Sequence, residues 1–366
     1  MSPDAEQQFI RIISGQARGP GASLARGFLT IVEPFYAGAI TIRNHLFDRQ
    51  LKSIRHLPRP VISIGNITTG GTGKTPMVQW LAENLRREGR RVAILSRGYR
   101  AAPGSLGDEL SMLDRALNDP GDPPVLLRAN SDRYAAGEEL LKEHPEVDVF
   151  VLDDGFQHRR LARDLDVVLI NAAEPSGFGR VLPRGLLREP LAGLRRAGAV
   201  VLTHADQATP EQLTAIEAEI RRHNATAPLY RAIHAQAGLR SSRPEIESHP
   251  FNELSRHRFF AFCGIGNPAA FHRQLARFVD TYVGRRWFGD HHAYTAEDLA
   301  NLSAEARKAG AEILITTEKD WVKVEPFATA IDLPIWRAEV RIQFSDEDEP
   351  RLLDQVGCVL ASSLAT

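Results

Sequence analysis

The sequence predicts an α/β protein: a P-loop NTPase-like parallel sheet, a second, smaller α/β domain, and an N-terminal amphipathic helix. Three observations carry this. The apolar run VISIG (61–65) enters a Gly-rich turn that ends Gly73-Lys74-Thr75. Short β-branched runs then alternate with helical stretches as far as residue 222, which is the pattern of a parallel sheet covered on both faces. A second strand–helix alternation begins at residue 258, beyond a polar, Pro-containing stretch.

The 366 residues are too many for one ordinary core and suit two domains. A formal net charge of −1 gives no global basic field, so no nucleic-acid partner is expected. Arg far outnumbers Lys, which suits local phosphate recognition. Cys263 and Cys358 are the only cysteines and lie far apart, so neither a disulfide framework nor a structural zinc site is expected. The first residues lack the pattern of a secretory signal, and no uncharged apolar run is long enough to span a bilayer.

Residues 1–23 are polar and Gly-rich and read as frayed. Residues 24–48 carry Leu24, Phe28, Ile31, Val32, Phe35, Tyr36, Ile40, Ile42, Leu46 and Phe47 and read as amphipathic, interrupted by Arg26, Glu33, Pro34 and Arg43. Such a helix could lie in a membrane interface or pack on the core. Strands are expected at 61–65, 91–96, 148–154, 166–171 and 199–206, with helices at 74–88, 131–143 and 209–222. Residues 236–250 read as a linker. Beyond it come a strand and turn at 258–266, helices at 268–278 and 295–309, a strand at 312–317 and a closing helix at 347–364. The expected division is 1–57, 58–235 and 236–366.

The phosphate loop is the octet Thr68-Thr69-Gly70-Gly71-Thr72-Gly73-Lys74-Thr75. Its last three residues match the P-loop pattern, and Thr68 replaces the first glycine. Glycines let backbone N–H groups turn toward phosphates, and the following helix adds the partial positive charge of its N-terminus. Lys74 would reach the β- and γ-phosphates of ATP, and Thr75 would offer its hydroxyl to Mg²⁺. FVLDDGFQHRR (150–160) ends an apolar strand in Asp153 and Asp154, the form of a Walker B element. One carboxylate should serve the metal and the other a partner such as Arg159.

Other candidates are less specific. Asp108 and Glu109 of GDEL (107–110) fall in an expected loop. Arg184, Arg188 and Glu189 lie in a Pro-bounded segment that could clamp a phosphate. Asp290, His291 and His292 precede a helix capped by Thr295. Glu318, Lys319 and Asp320 close a strand as a site edge or a helix start.

Together these motifs resemble the tetraacyldisaccharide 4′-kinases of lipid A biosynthesis. The resemblance rests on GNITTGGTGKTP (65–76), LSRGYR (95–100), GDE (107–109), SDRYAAG (131–137), LDDGFQHRRL (152–161), the LPRGLLREPL segment, AFCGIGNPAAF (261–271), FGDHHAYT (288–295) and TTEKDW (316–321). It implies transfer of the γ-phosphate of ATP to the 4′-hydroxyl of a tetraacyldisaccharide 1-phosphate. It also implies two α/β/α domains with the active site between them. Asp108 would help deprotonate the acceptor, and His291 would be its dyad partner. Thr75 and the Asp153/Asp154 pair would handle Mg²⁺, and Glu189 would add to the metal shell. Leu110 stands where the family usually has Pro after GDE.

A four-chain lipid does not leave the bilayer readily, at about 0.8 kcal/mol per buried CH₂. The resemblance therefore turns residues 24–48 into a membrane-interface helix, peripheral on the cytoplasmic side of a bacterial inner membrane. Two other classes compete. A membrane-associated nucleotide-switch ATPase would carry a signature Lys where Thr69 stands. A GTPase or metal chaperone would need an N-K-x-D motif or more cysteines.

Overall fold

The chain, seen here as a computed structural model, is described for residues 3–98, 107–118, 122–242, 248–266, 268–290, 292–345 and 347–363. It divides into two units. The larger takes in Gln7–His234 and Ile342–Thr366, and the smaller takes in Ala235–Arg341 and Met1–Glu6.

The chain opens with helices α1 (Pro3–Ile13) and α2 (Pro20–Asp48). Then come β1 (Val61–Asn66), α3 (Lys74–Arg87), β2 (Val92–Ser96), α4 (Gly107–Leu117), β3 (Leu126–Ala129) and α5 (Arg133–Glu143). The series continues with β4 (Val149–Asp153), β5 (Leu165–Asn171), β6 (Ala199–Thr203), α6 (Pro210–His223) and β7 (Leu229–Ser241). The strands run in the order β3-β2-β4-β1-β5-β6-β7, with parallel pairing along the row.

β1 and β4 are buried at every position, which is why they read as unbroken apolar runs. Ile62 and Ile64 pack with Met77 and Leu81 of α3 on one face. Val61, Phe150 and Leu152 pack with Ala136 and Leu140 of α5 on the other. Local chemistry sets the helix starts. Asp132 caps α5 through Ala135 N, and Thr209 with Gln212 forms a capping box on α6.

The smaller unit holds β8 (Phe259–Cys263), α7 (Pro268–Leu275), β9 (Tyr282–Trp287), α8 (Ala296–Lys308), β10 (Ile313–Thr317) and α9 (Glu318–Val324). β11 (Ile335–Phe344) follows, and the order is β11-β10-β8-β9 with parallel pairs. α10 (Asp348–Ser363) closes the chain, and its Leu352, Val356 and Leu360 enter the α3 side of the larger unit's core.

Several expectations change. Residues 347–364 group with the P-loop unit and not with a domain 236–366, because α10 buries its apolar face there. Residues 3–13 are helical, not frayed. The first six residues of the expected linker, 236–241, belong to β7. GDEL starts α4 instead of lying in a loop.

α2 is amphipathic in an unusual way. Leu24, Phe28, Ile31, Phe35 and Ile42 are 64–75% exposed, while Glu33, Asn44 and Phe47 are buried. No helix among the described residues is long and apolar enough to cross a membrane.

Candidate nucleotide and phosphoryl-transfer site

β1 ends at Asn66, and α3 begins at Lys74 on a left-handed Gly73 (φ 82°). The intervening loop is held from three directions. Asn66 Nδ2 donates to Thr72 Oγ1 at 2.8 Å, and Thr203 Oγ1 at the end of β6 donates to the Thr72 carbonyl at 3.0 Å. On the other side the segment 186–188 runs alongside. Thr69 N donates to the Leu186 carbonyl at 2.7 Å, Thr68 bridges to Leu187, and Arg188 N donates to the Ile67 carbonyl at 2.8 Å. Thr68 and Thr72 are buried and Gly70 turns at φ 121°, so the loop is a fixed cradle.

Against its far end lies His234 of β7. Its ring meets His204 with centroids 3.8 Å apart, and its Nε2 has no hydrogen-bond partner among the described residues. Burial, with His204 beside it, pushes the His234 imidazole down to about 3. Neither histidine stood out in the sequence.

The acidic strand end faces the loop. Asp153 is the last residue of β4, pairs in register with Ile64 of β1, and is almost wholly buried. Ser96 Oγ at the end of β2 donates to its Oδ2 at 3.3 Å. Asp154 follows in a left-handed turn (φ 53°), which swings its carboxylate toward Lys74 Nζ at 3.7 Å. Arg188 Nη1 donates to both Asp154 oxygens, at 2.9 and 2.8 Å. Burial works to raise the Asp154 pKa, but Lys74, Arg188 and Arg133 outweigh it and hold the carboxyl below its usual range. Arg159, the partner expected from sequence, instead donates to the Asn44 carbonyl at 2.8 Å and to Asp48 at 2.7 Å.

Arg133, in the SDRYAAG stretch, is buried beside this acid pair and lies 3.2 Å from His158 Nδ1. Burial, reinforced by Arg133 and Arg163, pushes His158 down to about 4.

Glu189 differs from what the resemblance implied. It is fully buried, and Arg196 Nη2 donates to both of its oxygens at 2.9 Å. Asn44 Nδ2 and Gln157 Nε2 donate to it at 2.8 and 3.1 Å. These four hydrogen bonds occupy the carboxylate, so it stands in a buried network instead of facing a metal. Of the expected clamp, Arg188 reaches the site. Arg184 donates to the Ile13 carbonyl.

The acceptor-side candidates are seen in part. Asp108 lies in the first turn of α4. His291 lies outside the described residues. Its neighbours belong to the smaller unit, where Asp290 pairs with Lys319 at 3.1 Å and His292 Nε2 lies 3.0 Å from Asp298 Oδ2. Asp320 is a structural cap: it accepts from Thr317 Oγ1, Gly264 N and Tyr294 Oη.

Fold and loop together define a P-loop nucleotide-binding protein, with a glycine cradle, a Lys at the helix start and a carboxylate facing it across adjacent strands. The sequence profile of the family described as Tetraacyldisaccharide-1-P 4'-kinase matches residues 25–357, and the chain belongs to that family.

Its relatives agree. The tetraacyldisaccharide 4'-kinase of Desulfotalea psychrophila is 37% identical over 331 residues, 87% of this chain and 93% of that one. The enzyme of the same name from Geobacter metallireducens is 39% identical over 338 residues, 88% and 95%. A crystal structure of LpxK from Aquifex aeolicus, in complex with ATP, superposes with a TM-score of 0.70 at 30% identity, covering 92% of this chain and 99% of that one.

Proposed function

We propose that this chain is the ATP-dependent kinase that phosphorylates the 4′-hydroxyl of tetraacyldisaccharide 1-phosphate. The observation that carries it is the 3.7 Å approach of Lys74 to Asp154 at the mouth of the phosphate loop. It brings together the cation that would hold the β- and γ-phosphates and a carboxylate that would serve the metal, the two charges that phosphoryl transfer in P-loop enzymes uses.

The donor set suits Mg²⁺. Thr75 supplies a hydroxyl, and Asp153 and Asp154 supply hard carboxylate oxygens. Such an ion would be held by one or two carboxylates, a hydroxyl and the nucleotide's own phosphates. When bound, Mg²⁺ would neutralise charge on the β- and γ-phosphates.

The chain's own residues would do the rest. The N–H groups of Gly70 to Lys74 and the start of α3 would cradle the phosphates, while Thr69 N stays with the Leu186 carbonyl. Lys74 would leave Asp154 for the γ-phosphoryl oxygens, and Arg188 would keep Asp154 ionised and aimed. The sugar oxygen would form its bond to phosphorus as the bond to the β,γ-bridging oxygen breaks. The hydroxyl proton would pass to Asp108, with His291 as its dyad partner, and ADP would leave. The motif matches GDE and DHH support these two assignments. Asp108→Ala and His291→Ala should keep ATP binding and lose most transfer to the lipid. Near-normal turnover in both would remove the dyad from the mechanism.

The exposed stripe on α2 supports a peripheral position on the cytoplasmic face of the inner membrane. There its apolar residues would enter the interface that holds the four-chain substrate.

A further inference from the structure

α2 has a second face, and where it meets the protein it sets polar groups beside the buried Phe47. Glu33, buried mid-helix, accepts from Val181 N at 3.0 Å and from Arg180 Nη1 at 3.2 Å. Tyr36 Oη donates to the Arg188 carbonyl at 3.1 Å. Asn44 Nδ2 donates to Glu189 Oε2 at 2.8 Å. All four hydrogen bonds fall on one stretch of chain, residues 180–189. A helix merely packed on a core would bury apolar residues at such positions.

The same stretch is the one that hydrogen-bonds the phosphate loop. Within three residues, Leu186 accepts from Thr69 N, Arg188 N donates to Ile67, and the Arg188 side chain grips Asp154. Gln157 ties the two ends together, donating both to the Asn66 carbonyl at 2.8 Å and to Glu189. The path from helix to carboxylate is thus short. Tyr36 holds the backbone of Arg188, whose side chain sets Asp154, and Asn44 holds the neighbouring Glu189.

We propose that Tyr36 and Asn44 are positioning residues for phosphoryl transfer: through the 180–189 strap, the helix that meets the lipid surface also sets Arg188 and Asp154 at the nucleotide site. This inference rests on the assignment of Asp154 to the Mg·ATP site made above. It follows that removing α2 is not a clean test of membrane anchoring. Its loss would strip Asn44 from buried Glu189 and Asp48 from Arg159, disturbing the kinase site as well as the contact with lipid.

The test compares full-length Tyr36→Phe, Asn44→Ala and Asp154→Asn in detergent micelles, titrating Mg·ATP at saturating lipid acceptor. Flotation on anionic phospholipid vesicles and thermal midpoints are measured in parallel. Tyr36→Phe removes one hydroxyl and so guards against a folding artefact with Asn44→Ala. The expected result is a rise of about fivefold or more in half-saturating Mg·ATP for both variants, the worth of one well-placed hydrogen bond. Flotation should be unchanged, and kcat should fall less than the affinity. Half-saturation within about twofold of wild type in both variants, with Asp154→Asn inactive, overturns the inference and leaves the site assignment standing. Normal turnover by Asp154→Asn instead removes the assignment itself.

Discussion

The imidazole of His234 packs against the α-carbon of Gly73 so closely that a Cβ there would fall 2.2 Å from Nε2. Gly73 also sits at φ 82°, a conformation that costs a side-chain-bearing residue about 1–2 kcal/mol. Two independent constraints thus fix glycine at the last turn of the phosphate loop. Gly73→Ala should weaken nucleotide binding by more than about tenfold. Adding His234→Ala should recover only part of the loss, because the backbone strain stays. Isothermal titration with ATP on the single and double variants checks this. Full recovery in the double variant would mean that crowding alone is responsible.

His234 and His158 also shape the acid response. Burial pushes the first down to about 3 and the second down to about 4, so the folded protein keeps both neutral. The unfolded chain takes up their protons near pH 6.5. Their contribution to stability is therefore complete above about pH 6.5. It shrinks as pH falls through the window down to those lowered values, by at most about 1.4 kcal/mol per pH unit for each. Urea midpoints should fall between about pH 7 and pH 5, and His234→Asn should flatten that slope. Asp154 acts in the same direction at lower pH, since its carboxyl is held below the usual range and its contribution fades only on strong acidification.

The Glu189–Arg196 pair predicts a stability pattern of its own. Glu189 is fully buried, and Arg196 lies 4.5 Å over the Phe156 ring. Arg196→Ala strands a buried carboxylate and should cost about 3–5 kcal/mol in urea unfolding. Replacing both residues, Glu189→Leu with Arg196→Met, should cost far less, because no charge is left unpaired. Transfer activity should not recover with stability, since Glu189 is also the anchor for Asn44 and Gln157.

The α2 stripe is tested from its outer face. Phe28→Ser with Phe35→Ser removes two exposed rings, each contributing about 1.5–3 kcal/mol when buried in an apolar phase. Vesicle flotation should drop sharply while the thermal midpoint stays put. Undiminished flotation would move the lipid contact elsewhere.

Much of this was legible in the chain. VISIG, the glycine turn and the following amphipathic helix locate strand, loop and helix, because a fully buried strand and a left-handed glycine each leave a local signature. α8 was equally clear from Thr295 and Asp298. β9 and β11 were not, since YVGRRW and IWRAEVRIQF mix apolar residues with Arg and Glu and are only partly buried. α10 read correctly as a helix, but its place in the P-loop unit depends on a non-local contact with the α3 side of the core. The same limit applies at the site. Lys74, Thr75, Asp153 and Asp154 announce themselves by motif. The choice of Arg188 over Arg159 as the partner of Asp154 is set by a strap 34 residues away. His234 has no motif at all, and only its position on β7 makes it the wall of the loop.

The most direct measurement is the transfer itself. Full-length protein would be mixed with γ-labelled ATP, Mg²⁺ and detergent-dispersed tetraacyldisaccharide 1-phosphate, beside Lys74→Ala. Label should enter the lipid at the 4′ position with wild-type protein and be absent with the variant. ATP binding and hydrolysis with no labelled lipid would contradict the account and leave a nucleotide-switched ATPase in its place.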